Sequence, residues 1–202
     1  MPGRKFTKRE LSILRKEAED QYDNMRGARF YRNADFLLYL LSIILVALAI
    51  RTFLMEPVRV QGSSMFPTLL SGEHMFVEKV TYWNSEPQRG DIIICYYPGY
   101  KESCVKRVIG LPGERVEISA GAVYINGSLL NEQSYFSGTI LSSDGSWTIG
   151  EQELFVMGDN RNGSKDSRAE SVGPIPYDQV VGKVQAVIWP FHKLRWMEKV
   201  VY

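Results

Sequence analysis

Histidine is almost missing from this chain: among 202 residues only His74 and His192 carry an imidazole. A Ser-His-Asp hydrolase would have to be built from these two, each set among ordinary surface-like residues. The Gly-x-Ser-x-Gly nucleophile elbow is also lacking, because Phe66 stands where the second glycine would follow Ser64. Cysteine is as scarce. Cys95 and Cys104 are too few for a disulfide-stapled scaffold or for a four-ligand zinc site, so neither a metal nor a cofactor is expected. Charge of one sign is lacking as well. Lys and Arg number 24 against 23 Asp and Glu, a net of +1, and residues 56–202 hold 14 basic and 17 acidic side chains, a net of −3. No basic domain for nucleic acid is present. Internal repeats are absent, and no long amphipathic helix follows residue 57.

One long apolar run does exist. Residues 36–50 carry no charge, and past Arg51 the run resumes through Phe53, Leu54 and Met55, giving twenty positions. As a helix, twenty residues cross about 30 Å of hydrocarbon. Arg51 falls near the end, where its side chain reaches the headgroups. Lys16, Arg26, Arg29 and Arg32 lie within twenty residues on the N-terminal side, and only Arg59 on the C-terminal side. The positive-inside rule then places the N-terminus in the cytoplasm and all that follows on the outer face of the cell membrane. The run ends Leu54-Met55-Glu56-Pro57, without the small residues of a cleavage site, and reads as a retained single-pass anchor. The expected organisation is a cytoplasmic segment over 1–35, a transmembrane helix over 36–55 and an extracytoplasmic domain over 56–202.

That domain has the texture of short strands. β-type runs fall at 58–60, 75–80, 91–97, 104–109, 115–118, 122–125, 153–157 and 180–189, with turn residues between them. Asn126-Gly127 signals a type I′ hairpin. The pattern predicts a mainly β fold, an antiparallel, barrel-like sheet, with residues 132–150 as an insertion or long surface hairpin.

Three clusters carry candidate chemistry. Gly62-Ser63-Ser64-Met65-Phe66-Pro67-Thr68 follows the apolar run closely; serine beside Gly and Pro is more often a plain turn. Lys106, in Val105-Lys106-Arg107-Val108-Ile109-Gly110, alternates with apolar residues, as a solvent-facing lysine does. Yet Lys106 and Arg107 are adjacent, so alternation sends one of them inward. The third cluster, Gly158 to Arg168, is a polar loop after an apolar run; it lacks the bidentate Glu of a calcium loop. Ser103-x-x-Lys106 matches a penicillin-binding motif but lies in a β run without its companion motifs. With histidine set aside, an activating lysine is the remaining route to a serine nucleophile. A free lysine, with a pKa of about 10.4, is protonated at neutral pH. Burial among apolar walls lowers a lysine's pKa, and Val105, Val108 and Ile109 flank Lys106.

These segments together resemble the bacterial type I signal peptidases, membrane-bound Ser/Lys endopeptidases that remove signal peptides from exported preproteins, in their Gram-positive-style, single-anchor form. The resemblance rests on Arg51-Thr52-Phe53-Leu54, Ser64-Met65-Phe66-Pro67-Thr68, Arg89-Gly90-Asp91-Ile92-Ile93, Lys106 through Glu114, and Gly158-Asp159-Asn160-Arg161 through Asp166-Ser167-Arg168, in the family's order. It implies Ser64 as nucleophile and Lys106 as general base, with the Ser164 hydroxyl orienting the lysine. It implies an Asp166–Arg168 ion pair shaping the site, Met65 holding the loop, and the Ser64 N–H in the oxyanion hole. Gly62 stands where some members carry a serine, so backbone donors serve there. Shallow pockets lined by Val60, Leu69 and Val105 are expected to select small side chains. The loop after Arg168 is longer than usual before Gly173. The implied partners are signal-peptide-bearing preproteins and the lipid bilayer. Two alternatives stay open: a membrane-tethered, non-catalytic β domain that binds partners, and a self-cleaving Ser/Lys protease of the SOS-repressor type.

Overall fold

The computed structural model describes residues 7–49, 55–200 and 202. The chain divides into two compact units, 1–50 and 51–202. The first contains one continuous helix, α1 (Lys8–Ala49). Thr7 caps it: its hydroxyl donates to the Glu10 carboxylate at 2.9 Å, and the Glu10 N–H donates back to Thr7 Oγ1 at 3.3 Å. The polar lead-in and the start of the apolar run therefore share one helix. Phe36, Leu37, Leu38 and Tyr39, four consecutive residues pointing in four directions, are all exposed. Among the described residues no helix is long and apolar enough to cross a membrane. The run expected over 36–55 is described as helix for 36–49; residues 50–54 lie outside the described residues. Met55 is not helical: it opens a strand and pairs with Glu78.

The second unit is mainly β and antiparallel. In chain order its strands are β1 (Met55–Arg59), β2 (His74–Glu78), β3 (Ile92–Tyr96), β4 (Ser103–Gly110), β5 (Arg115–Ser119), β6 (Ala122–Ile125), β7 (Ser128–Leu129), β8 (Gly145–Thr148), β9 (Glu153–Met157), β10 (Ile175–Pro176), β11 (Val180–Trp189) and β12 (Arg195–Trp196). A short helix, α2 (Thr81–Asn84), follows β2. The large sheet runs β1-β2-β11-β3-β4-β9-β10, with β12 beside β11. A smaller sheet runs β7-β6-β5-β8. Each of the eight runs expected from the sequence overlaps a strand, with Val60, Lys79, Val80, Asp91 and Tyr97 falling just outside. Asn126 and Gly127, both at positive φ, make the expected two-residue turn between Ile125 and Ser128.

Residues 132–150 are more than an inserted hairpin. They contribute β8 and place Tyr135, Ile140 and Ile149 in a core with Val116, Ile118, Val123 and Phe155. Their Ser/Gly/Asp-rich composition hides these few apolar anchors. Gly110, at the end of β4, lets the chain pass from one sheet to the other: a Cβ there would overlap Val116 and Phe155. The large sheet is packed on both faces. Val60, Met65, Leu69, Met75, Val77, Ile92, Ile94, Val184 and Val187 form one cluster, and Ile93, Cys95, Val108, Leu154, Val156 and Ile175 form another.

Candidate active site

β4 is interior to its sheet, between β3 and β9. That position explains the fate of the Lys106-Arg107 pair. Alternation does send them to opposite faces, but both faces are covered, and Lys106 is 3% and Arg107 2% exposed. Each buried side chain has its own partners. Arg107 makes a two-point ion pair with Asp159 (Nε–Oδ1 2.8 Å, Nη2–Oδ2 2.7 Å), donates to the Gly90 carbonyl at 2.9 Å and stacks 4.1 Å from the Tyr135 ring centroid. The Asp159 contact helps hold its pKa above that of a free guanidinium despite burial. Lys106 Nζ donates to Ser64 Oγ at 3.0 Å and to the Val105 carbonyl at 2.9 Å.

Ser64 arrives on the loop between β1 and β2. Met65 is its anchor, 2% exposed, with its carbonyl accepting from the Leu69 N–H at 2.9 Å. The loop between β9 and β10 grips it from the other side. Asn160 donates its backbone N–H to the Ser64 carbonyl at 3.0 Å and its side-chain amide to the Ser63 carbonyl at 3.1 Å. Thr68 Oγ1 donates to Asp159 at 2.5 Å, tying the serine loop to the Arg107 pair. Gly158 lies in closest contact, since a Cβ there would overlap the Ser64 carbonyl and the Ser164 hydroxyl. In the sequence Asp159 and Asn160 stand only as parts of a motif; their grip on the serine loop spans more than 90 residues of chain, and no local pattern reveals it.

Asp166 and Arg168 are ion-paired at 2.7 Å. Asp166 also accepts from the Gly158 N–H at 2.9 Å, and Arg168 donates to the Arg161 carbonyl at 2.6 Å and the Ser164 carbonyl at 3.3 Å. The pair thus closes the loop that carries Gly158. Ser164 differs from the expectation. Its hydroxyl donates to the neighbouring Lys165 carbonyl at 3.4 Å, whereas the Lys106 amine bonds Ser64 and Val105. Gly158 intervenes between Ser164 and the Ser64 carbonyl. The longer loop after Arg168 folds as two successive turns, Ala169 N–H to the Asp166 carbonyl and Val172 N–H to the Ala169 carbonyl, and buries Val172.

Ser64 and Lys106 lie at a groove of about 720 Å³ walled by β1 with residues 60–62 on one side and by β4 on the other. Val60 and Val105 line it, as does Gly62 at φ +85°. Leu69 does not belong to this lining: it is fully buried, packed in the core with Val60 and Met65, because its loop turns inward after Pro67. His74 sits in β2 and His192 in a short turn at Phe191–Lys193; neither is among the groove residues. Among the described residues no cluster of His, Cys, Asp and Glu is arranged to hold a metal. A hydroxyl bonded to a buried amine beside an open groove is an arrangement that can support nucleophilic acyl transfer, in which such an amine would accept the hydroxyl proton.

Residues 33–189 match the family described as signal peptidase, peptidase S26. Signal peptidase I T of Bacillus subtilis is 43% identical over 162 residues, covering 75% of this chain and 83% of that protein. Signal peptidase I of Bacillus licheniformis is 37% identical over 187 residues, covering 88% and 97%. A solved signal peptidase I from Enterococcus faecalis is 34% identical and covers 49% of this chain and 97% of its own, with a TM-score of 0.43. The chain belongs to the signal peptidase family, peptidase S26.

Proposed function

We propose that this chain is the serine endopeptidase that removes N-terminal signal peptides from exported preproteins, with Ser64 as nucleophile and Lys106 as general base. The observation that carries the assignment of roles is the 3.0 Å contact between Lys106 Nζ and Ser64 Oγ at the groove. The preprotein lies extended in the groove, and its side chains next to the scissile bond meet Val60 and Val105. Lys106, as the free amine, takes the Ser64 proton while Oγ attacks the carbonyl. Backbone donors around Ser64 and Gly62 face the developing oxyanion. The ammonium then protonates the departing amine, and water repeats the cycle to free the acyl group. Asp166 and Arg168 hold the Gly158 loop against the serine, and Ser164 supports that loop through Gly158.

The substrate class points to a bilayer. The exposed apolar residues of α1 between 36 and 49 are the part of the chain suited to a membrane anchor, with the N-terminus on the cytoplasmic side and the β unit on the outer side. On the β unit, Trp189, Phe191, Leu194 and Trp196 are exposed large apolar side chains of the kind that lie in lipid headgroups. The test is cleavage of a preprotein by the detergent-solubilised chain beside Ser64→Ala and Lys106→Met. Both variants are expected to fold and to lose cleavage. Near-normal turnover by Lys106→Met would remove the lysine from the mechanism. Absence of cleavage by the parent protein would favour a tethered binding domain, and cleavage within the chain itself a self-processing protease.

A further inference from the structure

The groove wall carries a second reactive pair. Cys95 of β3 and Cys104 of β4 are directly opposite in the antiparallel ladder. Their sulfurs are 3.7 Å apart and both are free thiols. Opposed residues in such a ladder have Cα atoms about 4.5–5.5 Å apart, inside the range of about 4.4–6.8 Å that a disulfide spans. The two thiols are not equivalent. Cys95 is fully buried, whereas Cys104 is half-buried and lines the groove. Cys104 and Lys106 are two apart on one strand and so point the same way; any group attached to Cys104 stands beside the amine that contacts Ser64.

We propose that Cys104 and Cys95 are a thiol–disulfide exchange site in the groove wall, in which Cys104 captures a small-molecule disulfide and Cys95 resolves the adduct, leaving the groove clear. The Cys104 thiolate attacks one sulfur of the disulfide RSSR, forms a Cys104–S–S–R bond and expels RS⁻, which takes up the proton Cys104 released. Cys95 then gives up its proton and attacks Cys104 Sγ, and the second RS⁻ leaves with that proton. Two protein thiols become one disulfide, and the small disulfide is reduced to two thiols. The order of attack follows from access and ionisation. The hydrogen bond from the Cys95 thiol, with the Lys106 charge and the Tyr97 hydroxyl helping against burial and Asp166, brings the Cys104 thiol down to about 7. The same contact and burial push Cys95 well up. Adduct formation should therefore rise with pH through neutrality. Small disulfides persist outside the cytoplasm, so the biological setting rests on the placement proposed above, while the exchange chemistry does not.

The experiment treats the reduced full-length chain with oxidised glutathione, follows intact mass and peptide maps, and measures preprotein cleavage before and after. The parent chain is expected to pass through a single adduct on Cys104 and to finish lighter by two hydrogens, still cleaving. Cys95→Ala should stop at a stable Cys104 adduct, lose the cleavage it had before treatment, and recover it with dithiothreitol. Cys95→Ser repeats the test if alanine leaves the core underfilled. A stable adduct on the parent chain, first capture by Cys95, or two thiols still free after a dithiol peptide in the same tube is oxidised would overturn the proposal. Mass reads the exchange even if the preprotein is not cut, so failure of the peptidase reading and failure of this one are separable.

Discussion

The Lys106 amine and the Arg107 guanidinium are neighbours in sequence with opposite chemical fates. Lys106 Nζ is bonded to two neutral acceptors, the Ser64 hydroxyl and the Val105 carbonyl. Arg107 is neutralised by Asp159 and stays an ion. Removing one half of such a buried pair strands the other charge, at a cost of about 3–5 kcal/mol. Arg107→Met is therefore expected to lower unfolding stability by that amount in urea titrations, whereas Arg107→Met with Asp159→Leu should lose much less. A destabilised double variant would show that packing against Tyr135, not charge, is what Arg107 supplies. Acid should silence cleavage, because a protonated amine cannot accept the serine proton. The sign is that activity rises with pH. The pH profile of kcat/KM should keep its acid limb in a His74→Gln, His192→Gln double variant; loss of the limb would hand the base role to an imidazole.

Strands and loops set the geometry in which those residues meet. β4 carries Lys106 to the groove, and the loop after β9 clamps the serine loop through Asn160 and Gly158. Gly158→Ala should force the Ser64 carbonyl away and lower kcat with little change in KM, since the groove walls are untouched. Equal falls in affinity for substrate would place the damage in the groove instead. Ser164→Ala is expected to weaken cleavage less than Ser64→Ala or Lys106→Met, because its hydroxyl packs against Gly158 and takes no part in the Lys106–Ser64 contact. Val60 and Val105 line the groove between β1 and β4. Preproteins with small side chains one and three residues before the scissile bond should be cut best, and a library varied at those two positions tests it; equal cleavage after Phe or Trp would refute the pocket assignment.

The chain has two compact units, one helical and one mainly β. If α1 holds the enzyme at the bilayer where a signal peptide is also held, tethering raises their effective concentration without any new contact. Deleting residues 1–50 should then slow cleavage of a membrane-inserted preprotein far more than cleavage of a short soluble peptide. Equal losses on both substrates would mean that the helix supports the β unit's own folding.

Local chemistry in the chain was enough for much of this. Period-two runs of Val and Ile reveal strands because burial of one strand face leaves its mark every second residue, and Asn126-Gly127 reveals a turn because both positions take positive φ. The scarcity of histidine and the motifs around Ser64 and Lys106 singled out a serine and a lysine 42 positions apart. Long-range packing settled the rest. Burial of both Lys106 and Arg107 depends on β4 having neighbours on two edges and cores on two faces, which no period along one strand encodes. Leu69 reads like a pocket residue and lies in the core because its loop folds inward. Ser164 reads like a partner of the lysine, while its hydroxyl bonds the neighbouring Lys165 carbonyl and packs against Gly158. Residues 132–150 read like surface and supply both a strand, β8, and three buried anchors outside it. For Lys106, Arg107 and residues 132–150 the deciding contacts join segments far apart in the chain, and their energy exists only once the sheets have formed.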